Sequence, residues 1–436
     1  MADDSQRPLF IEEHARLHPV DLADKLLRAP DGERIKLLTH LPREIAAAAL
    51  AELYEDQFEQ VTKGLPEERI VELVGELPHD DAADILGEIE EERREELLEA
   101  LPDEVSAPIE ELLRYPEDTA GGIMSDRFIT LTAKETVSDC QERLRKQVDR
   151  QRDDISYLYV VDVDQRLVGV VPLRELVFAM PESKVEDVMV RDVKFLQVDA
   201  DQEAVAREFE DYGYLGLPVL DHAGKLVGVV SASEVFEVAQ EEATEDMQLM
   251  VGLSGEERSS TPWPTSLSRR LPWLYVNLAT AFIAAVVVAC FEKTIDAIPA
   301  LAIFLVVIAG QGGNAGMQTL TVIVRDLALG ELEPGDGRKA LFKEILLGTI
   351  NGVAIGIVVG FIGWLWKGNP TIGLVAGVAM FLNMVAAAMF GVLIPFGLKA
   401  LRIDPALASS ILLTTVTDVA GNLLFLGLAA IVFAQL

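Results

Sequence analysis

The stretch "LLTTVTDVAGNLLFLGLAAIV", residues 412–432, is an apolar run long enough to cross a membrane, and it carries one carboxylate, Asp418, near its middle. A charged side chain at the centre of a span costs about 2.5–3.5 kcal/mol, so such a residue usually faces water or a partner charge. Thr414 and Asn422 lie four residues before and after Asp418, which puts all three on one helix face. A hydroxyl, a carboxylate and an amide in a row can hold the water shell of a hard cation. The structural alternative is a neutral Asp418 that hydrogen-bonds to a neighbouring helix.

Four further apolar stretches precede this one, and each reaches the length of about 20 residues that a spanning helix needs. The five predicted spans are Leu271–Phe291, Ala297–Val324, Ile345–Trp366, Ile372–Leu398 and Ala406–Ala434. With the N-terminal half in the cytosol, the inner flanks carry eight Lys and Arg residues and the outer flanks carry two. This excess fits the positive-inside rule. It predicts a multi-pass protein of the inner cell membrane with cytoplasmic N-terminal domains and an outer C-terminus.

The second predicted span contains "GQGGNAGMQT", residues 310–319, which is rich in glycine. Glycine is a poor helix former, so the cluster predicts either a close approach of two backbones or a local break in the helix. Asn314 and Gln318 are one turn apart and present amide oxygens to the same side. The alternative is that these glycines serve helix packing alone. In the third span, packing is the favoured interpretation, because glycine recurs there at strict four-residue spacing. Those glycines are Gly348, Gly352, Gly356 and Gly360.

The segment 1–269 carries the whole net charge of −34, because the segment 270–436 is formally neutral. Such an acidic body repels nucleic acid and attracts cations. In its first hundred residues, Leu-Pro pairs are separated by multiples of twelve residues. The pairs begin at Leu41, Leu65, Leu77 and Leu101, and the apolar residues Leu53 and Ile89 fill the two missing positions. Proline suits a helix start, and acidic residues suit its positive end. The repeat therefore predicts an all-α superhelical N-domain over residues 1–115.

Residues 116–245 contain a second internal repeat. The segment "YLYVVDVDQRLVGVVPLRELV" (157–177) matches "GLPVLDHAGKLVGVVSASEVF" (216–236) at an offset of 59 residues. Each copy reads as strand, tight polar turn, strand and helix. Two such copies resemble a tandem pair of CBS modules, an α/β regulatory fold that often binds adenine nucleotides between its repeats. The residues leave nucleotide binding open; if ATP binds, we expect Tyr157 to stack on the base and Arg174 to reach a phosphate.

A polar, helix-prone stretch, residues 241–260, links this repeat to the first span. It predicts a connecting helix over residues 246–268, followed by an all-α membrane domain of five helices over residues 269–436. Carboxylates cluster in the link and at two places before it. These clusters contain Asp80 and Asp84; Asp199, Asp201 and Glu203; and Glu241, Glu242, Glu245 and Asp246. Each cluster alone is most simply a solvated face, but three of them in so acidic a body need a cation to screen their repulsion.

No constellation of catalytic residues is apparent in the sequence. The five histidines are scattered, with none at metal-ligand spacing. A phosphate-binding loop of the form G-x-x-x-x-G-K-[ST] does not occur, and no serine or cysteine nucleophile accompanies a plausible base. The sequence therefore predicts a protein that is not an enzyme.

The order of these parts resembles that of the MgtE family of magnesium channels, in which the connecting helix is called the plug. The specific matches are "GGNAG" with Gln318 in the second span, "EEATED" at 241–246, and "DPALAS" with "TTVTDVAG" in the fifth span. The resemblance implies a homodimer whose second and fifth spans line one pore, where Asp418 of each subunit binds a hydrated Mg²⁺. It also implies that Mg²⁺ bound by the acidic N and CBS domains closes this pore.

Carried over position by position, the resemblance implies a set of cytosolic sensor ligands. They are Asp80, Asp84, Asp201, Glu203, Glu234, Glu237, Glu242, Glu245 and Asp246. The candidate pore ligands besides Asp418 are Thr414, Asn422, Asn314 and Gln318. The chain departs from the family pattern at Ala48, Gly213 and Met317.

A physical argument supports the dimer independently, because two aspartates related by a two-fold axis can balance a divalent ion and one cannot. The leading hypothesis is thus a Mg²⁺-selective uptake channel that its own cytosolic ion closes. Two alternatives stay open. The first is a carrier that couples a divalent cation to Na⁺ or H⁺, which a glycine-rich second span also suits. The second is a nucleotide or metal sensor whose membrane half serves only as an anchor.

Overall fold

The computed structural model describes residues 14–53, 57–147, 155–255, 257–259, 261–332, 335–407 and 409–433. The chain divides into two compact units, Met1–Val238 and Ala239–Leu436. The first unit holds the helical N-terminal part and the two α/β repeats. The second unit holds the connecting segment and the long apolar helices.

The described residues of the N-terminal part are helical. They form α1 (Pro19–Arg28), α2 (Asp31–His40), α3 (Arg43–Ala51), α4 (Phe58–Thr62), α5 (Glu67–Val74), α6 (His79–Gly87), α7 (Glu91–Ala100) and α8 (Asp103–Leu112). Each Leu-Pro pair ends one helix and begins the next, because the residue before a proline avoids helical backbone angles and the proline itself has a fixed φ. The prolines, Pro42, Pro66, Pro78 and Pro102, stand at the N-caps of α3, α5, α6 and α8, one position before the first turn.

The leucine of each pair is buried, as are Leu53 and Ile89 at the two positions where the pair is missing. Acidic residues follow in the first turn of the helices after these prolines, where the macrodipole favours them. The twelve-residue period is thereby confirmed as the spacing at which short helices begin and bury one face in a shared core.

The two α/β repeats form two three-stranded sheets of the same topology, in the orders β1-β2-β3 and β4-β5-β6. The first repeat contains β1 (Thr130–Thr132), α9 (Val137–Gln147), β2 (Tyr157–Val161), β3 (Leu167–Pro172), α10 (Leu173–Phe178) and α11 (Val185–Val188). The second contains β4 (Leu196–Gln197), α12 (Gln202–Tyr212), β5 (Gly216–Leu220), β6 (Leu226–Ser231) and α13 (Ala232–Met250).

The 59-residue offset between the repeats is confirmed in the strand register. Val160 pairs with Gly169 in the first repeat, and Val219 pairs with Gly228 in the second. The turn between the paired strands is closed in both copies by an aspartate. Oδ1 of Asp162 accepts hydrogen bonds from two backbone amides of its turn, at 2.8 and 3.0 Å, and the corresponding atom of the second turn's aspartate does the same at 2.9 and 2.8 Å.

The second unit contains five helices that are long and apolar enough to cross a membrane. They are α14 (Trp263–Cys290), α16 (Leu301–Ala328), α17 (Gly337–Lys367), α18 (Pro370–Ala400) and α19 (Ser409–Phe433); the short α15 (Glu292–Ala297) lies between the first two. Each of the five predicted spans overlaps one of these helices. The first four helices extend beyond their predicted spans at one or both ends, and α19 lies within the predicted range Ala406–Ala434. Helix α18 packs against α16, α17 and α19, so it lies at the centre of this unit.

The glycine spacing in α17 is confirmed as a packing seam. The carbonyl oxygen of Gly356 would lie 2.6 Å from a Cβ on Gly377 of α18, and that of Gly360 would lie 2.3 Å from a Cβ on Gly373. Real Cβ atoms do not approach oxygen so closely, so the two backbones touch where both helices lack side chains. The seam brings α17 and α18 together without any polar side chain.

The glycine cluster of the second span does not break the helix. Helix α16 is continuous from Leu301 to Ala328. The cluster serves the other predicted purpose, the close approach of neighbours. A Cβ on Gly312 would lie 2.1 Å from Nδ2 of Asn383 in α18, and one on Gly316 would lie 3.0 Å from Cδ1 of Leu413 in α19.

The connecting segment differs from the helix expected over residues 246–268. Helix α13 begins at Ala232, inside the second repeat, and ends at Met250. The described residues between 251 and 262, which leave out 256 and 260, lie in turns, bends and irregular backbone before α14 begins. Two glycines explain this end, because Gly252 and Gly255 have φ angles of +78° and +90°, which lie in the left-handed region that other residues avoid.

Candidate cation pathway

The carboxylate of the fifth span lies on a helix face whose exposure decreases from one turn to the next. In α19, Thr414 is exposed, Asp418 is half-buried and Asn422 is buried, with 8% of its surface exposed. The gradient follows from geometry, because each four-residue step along an α-helix turns the side chain by about 40°. Thr414 donates its hydroxyl proton to the carbonyl oxygen of Ser410 at 2.7 Å, which leaves the hydroxyl oxygen able to accept. Asp418 therefore stands between an exposed hydroxyl and a buried amide.

The predicted polar pair of the second span lies on the exposed side of α16. Asn314 and Gln318 are both exposed, while Gly312 and Gly316 on the opposite side are buried. Helices α16 and α19 pack together. The single chain thus presents amide, hydroxyl and carboxylate groups on two adjoining helices at membrane depth, where lipid satisfies none of them.

A second carboxylate is buried in the membrane unit, and the sequence analysis did not single it out. Glu344 of α17 is 6% exposed, and its Oε2 accepts a hydrogen bond of 3.0 Å from Oγ1 of Thr319 in α16. Nζ of Lys343 lies 3.5 Å from its other oxygen. Because Glu344 follows three basic residues at the start of a span, the sequence predicts that it is an exposed charge in a loop. Its contact with the residue after Gln318 makes it a support for α16.

The end of α13 contacts both α16 and α19. Leu249 and Met250 pack on a cluster that includes Leu320 of α16 and Leu413 of α19. The hydroxyl of Ser410, at the start of α19, donates to the carbonyl oxygen of Met250. These contacts attach the last turn of α13 to one end of the two helices that carry the polar residues.

The turns after α13 are fixed by a buried ion pair. Glu257 is buried, and its carboxylate is held by Arg270 of α14, whose Nε lies 2.8 Å from Oε1. The side-chain amide of Gln248 in α13 binds the backbone of Glu257. It donates to the carbonyl oxygen of Glu257 at 2.8 Å and accepts from its backbone amide at 2.9 Å. The connecting segment is therefore tied to α13 on one side and to α14 on the other.

The first unit contains an acidic cluster that joins α6 to the first α/β repeat and to the start of α13. Oδ2 of Asp80 lies 3.2 Å from a guanidinium nitrogen of Arg127, and its Oδ1 is buried without a hydrogen-bond partner among the described residues. Nδ1 of His79 lies 2.6 Å from Oδ2 of Asp126. Burial, reinforced by the charges of Asp80 and other carboxylates, raises the pKa of Asp81 to about 7.

Glu234, in the first turn of α13, belongs to the same cluster. Burial raises its pKa to about 7, and the charges of Glu237 and Asp80 add to this increase. The structure therefore brings together three of the predicted sensor residues, Asp80, Glu234 and Glu237. The sequence analysis missed Asp81, Asp126 and the two basic residues here. The only sequence signal for any of these residues was the pair of aspartates that follows His79.

The other predicted sensor residues are found elsewhere along the chain. Asp84 is exposed on α6. Asp201 caps α12, accepting from the amides of Glu203 at 3.0 Å and Ala204 at 3.4 Å, and Glu203 pairs with Arg207 one turn on. Glu242, Glu245 and Asp246 lie along α13 in the second unit. Within the described ranges, no three His, Cys, Asp or Glu side chains are grouped tightly enough to hold a metal ion.

We predict that the packing of α6 weakens as the pH rises. A carboxyl whose pKa is raised to about 7 in the folded protein contributes stability at low pH, and the contribution is lost as the pH rises through 7. His79 acts in the same direction, because its hydrogen bond to Asp126 raises its pKa. In the full-length protein without Mg²⁺, amide protection of α6, corrected for intrinsic exchange rates, should fall by about tenfold between pH 6 and pH 8. The variant Asp81→Asn should lose much of this pH dependence. The variant Asp84→Asn, which changes an exposed residue of the same helix, should keep it. Equal pH profiles in all three proteins would contradict the assignment of the pH dependence to Asp81.

The two residues proposed for nucleotide contact occupy different settings. Tyr157 begins β2 and packs in a small cluster formed by both repeats, with Cδ2 lying 3.5 Å from where a Cβ on Gly216 would stand. Arg174 is exposed on α10, with its Nε 3.5 Å from Oε1 of Glu175. Tyr157 is thus placed at the junction of the repeats, and Arg174 is free to reorient.

Models of protein families match most of the chain. The divalent cation transporter model MgtE matches residues 305–428, the MgtE intracellular N domain matches 17–118, and the CBS domain matches 120–182 and 185–241. The chain is 36% identical to the magnesium transporter MgtE of Thermus thermophilus over 74% of its own length and 72% of the relative's. The chain belongs to the MgtE family. It is also 34% identical to the magnesium transporter MgtE of Enterococcus faecalis, over 75% of its own length and 72% of the relative's.

Two solved structures resemble the N-terminal MgtE regions. The cytosolic domain of the Mg²⁺ channel MgtE in complex with ATP superposes with a TM-score of 0.51 at 34% identity, covering 54% of this chain and 96% of that one. The soluble part of a magnesium transporter gives a TM-score of 0.52 at 28% identity, covering 55% and 94%. MgtE proteins are transporters and not enzymes, and the family together with the five long helices makes this a membrane protein.

Proposed function

We propose that the protein is a homodimeric Mg²⁺ channel for Mg²⁺ uptake, with a pore lined by α16 and α19 of both subunits. The observation that carries this proposal is the placement of Asp418 on a membrane-length helix, one turn after exposed Thr414. That helix packs against α16, on which Asn314 and Gln318 are exposed. Relatives at 34–36% identity are named magnesium transporters, which supports Mg²⁺ as the cargo.

The exposure of these groups supports the proposed dimer. Asn314, Gln318 and Thr414 are exposed in the single chain, and lipid cannot accept or donate hydrogen bonds to them. A second copy related by a two-fold axis would cover the same face of both subunits with the same residues. It would also supply the second carboxylate that balances the charge of a divalent ion.

The donor set suits a hydrated ion. Mg²⁺ is dehydrated reluctantly and usually keeps several of its waters in protein sites. The groups named above contribute one charged oxygen and several neutral oxygens per subunit. One carboxylate per subunit among mostly neutral oxygens suits an outer ring of acceptors for the waters that the ion keeps. Conduction requires such weak binding, because an ion that lost its waters to a tight cage would leave slowly.

We further propose that Mg²⁺ on the cytosolic side closes the pore by binding the acidic N and CBS domains. The cluster of Asp80, Asp81, Glu234 and Glu237 fits such a site in part, since it is under mutual repulsion and one oxygen of Asp80 is buried and unpaired. The contact of the α13 end with α16 and α19 offers the link to the pore. The orientation required is the one that the flanking charges favour, with the N-terminal domains in the cytoplasm and the C-terminus outside.

ATP binding is a secondary proposal. It rests on the solved MgtE cytosolic domain that contains ATP, and on the place of Tyr157 at the junction of the two repeats. In this proposal Tyr157 stacks on the adenine, and Arg174, which is exposed, turns toward a phosphate.

A carrier coupled to Na⁺ or H⁺ is the competing function, and flux in proteoliposomes decides between the two. With a Mg²⁺ gradient alone, at equal pH and without Na⁺ on either side, a channel should carry Mg²⁺ at its full rate. The flux should also saturate weakly and respond to membrane potential. Flux that appears only when a Na⁺ or pH gradient is imposed would establish the carrier instead.

A further inference from the structure

The fourth span contains a fully buried amide that the pathway described above does not use. Asn383 of α18 has 0% of its surface exposed. Its Nδ2 donates a hydrogen bond of 2.9 Å to the carbonyl oxygen of Ile308 in α16. Its Oδ1 is buried as well, and no described residue donates a hydrogen bond to it. An unpaired buried acceptor costs about 1–3 kcal/mol, so a leucine of similar size would suit this place better if packing were its only purpose.

Asn383 fits between two glycines on two different helices. A Cβ on Gly312 of α16 would lie 2.1 Å from Nδ2, and a Cβ on Gly421 of α19 would lie 2.8 Å from the same atom. Ordinary contacts of this kind measure about 3.5 Å or more, so an alanine at either position must displace the Asn383 amide or the helix that carries it. The amide therefore touches the backbones of α16 and α19 at the same level and fills the space that the two missing side chains leave.

This level is the one at which the proposed pore carries its polar groups. Gly421 lies one turn after Asp418 and directly before Asn422, and Gly312 lies two residues before Asn314. On α16, the exposed Asn314 and the buried Gly312 point to nearly opposite sides, so Asn383 contacts this helix away from its exposed amides. On α19, Gly421 lies about 60° around the helix axis from Asp418, so Asn383 contacts this helix beside the carboxylate. The side chain acts as a spacer of fixed thickness beside the ion-binding groups.

We propose that Asn383 is a positioning residue that sets the distance between α16 and α19 beside Asp418, and that it thereby determines which hydrated cations pass. The proposal rests on the proposed function, since it concerns the selectivity of that pore. The fixed spacing decides how far the ring of oxygen acceptors stands from the ion's waters. A hydrated Mg²⁺ and a hydrated Co²⁺ or Ni²⁺ differ little in size. Only a spacing that is held constant to a fraction of an ångström can distinguish them, so a small change in this spacing should alter their relative rates of passage.

The test uses size complementation between Asn383 and Gly421. Gly421→Ala should push α18 and α19 apart, because its Cβ would otherwise lie 2.8 Å from Nδ2. We expect the Mg²⁺ flux of the reconstituted full-length protein to fall about tenfold and the Mg²⁺ to Co²⁺ flux ratio to change, since displacements below 1 Å suffice for such effects. Asn383→Ala removes the amide, so the double variant Asn383→Ala/Gly421→Ala should recover flux to within about threefold of the original protein.

Gly427→Ala is the matched control, because Gly427 lies in the same helix and has open space around it; it should behave as the original protein. An unchanged flux ratio in Gly421→Ala, or a double variant no better than Gly421→Ala, would overturn the proposal. If Gly421→Ala fails to fold, Asn383→Ala alone decides, because the loss of the spacer must then change the flux ratio.

Thermal unfolding of the original protein, Gly421→Ala, Asn383→Ala and the double variant gives a readout that does not depend on transport. The double variant should melt at a higher temperature than Gly421→Ala, since the amide that the new methyl group strikes is gone. An absence of Mg²⁺ flux in the original protein would refute the proposed function. A lack of coupling between residues 383 and 421 in the melting temperatures would refute the spacer, whatever the flux.

Discussion

Replacing Asp418 by alanine should abolish Mg²⁺ flux in proteoliposomes. The carboxylate is half-buried in α19, with a hydroxyl on one side and an amide on the other, and no other acidic side chain among the described residues lies near the middle of one of the five membrane-length helices. Removing one partner of a charge pair in a low-dielectric site costs about 3 kcal/mol or more. Since both subunits of the dimer lose their charge, the flux should fall by more than a hundredfold.

The matched control is Asp296→Ala, which removes an exposed carboxylate from the short helix α15 and should leave flux unchanged. Asp418→Asn separates charge from hydrogen bonding, because asparagine keeps an acceptor oxygen of the same reach. If the negative charge attracts the ion, Asp418→Asn should be nearly as inactive as Asp418→Ala. All variants should elute as the same dimer. A flux in Asp418→Ala equal to that of the original protein would remove the pore assignment.

The architecture was largely predictable because its signals are periodic. The Leu-Pro period gives helix starts directly, since proline restricts its own φ and the residue before it. The 59-residue offset pairs Val160–Gly169 with Val219–Gly228, which only a duplicated hairpin explains. The glycine spacing of α17 is likewise a local pattern with one structural outcome. In each case the information lies within a few residues of the element that it determines.

The connecting helix and the glycine cluster of α16 were harder to predict because their outcome depends on distant residues. Helix propensity favours a helix through the link, but the turn at Gly252 lies against Ile411 of α19, with a Cβ position 2.9 Å from Cδ1. In α16, Gly312 and Gly316 weaken the helix locally, yet Asn383 and Leu413 fill the space beside them and the helix continues. Tertiary packing therefore determines both the turn that follows α13 and the continuity of α16.

The site residues that sequence analysis missed share one property. Glu344, Asn383 and Asp81 are ordinary polar residues in sequence, and only their burial makes them unusual. Glu344 meets Thr319 across 25 positions, and Asn383 meets Ile308 across 75. Asp418 was identifiable because the apolar run around it is contiguous. The others lie at helix ends or among small residues, where no local contrast marks them.

Raising Mg²⁺ on the cytosolic face alone should close the pore. Without the ion, Asp80, Asp81, Glu234 and Glu237 repel one another where α6 meets the start of α13, and Arg127 relieves only part of this repulsion. Bound divalent ions would offset the remainder. A shift from mostly open to mostly closed needs about 5.5 kcal/mol of differential binding, so several bound ions must contribute. Flux from the outer face should therefore fall steeply over a narrow range of cytosolic Mg²⁺.

Two variants should move the midpoint of this closure in opposite directions. Arg127→Ala removes the cation that pairs with Asp80 and competes with Mg²⁺ for it, so closure should need about tenfold less Mg²⁺, the equivalent of about 1.4 kcal/mol. Asp81→Asn/Glu234→Gln removes two of the four carboxylates proposed to bind the ion, so closure should need more Mg²⁺. Lys146→Ala, which removes an exposed cation from α9 of the first repeat, serves as the control. Shifts in the same direction would contradict the electrostatic account, whereas flux that ignores cytosolic Mg²⁺ in the original protein would contradict gating itself. The opposite signs matter because general destabilisation of the first unit cannot produce them.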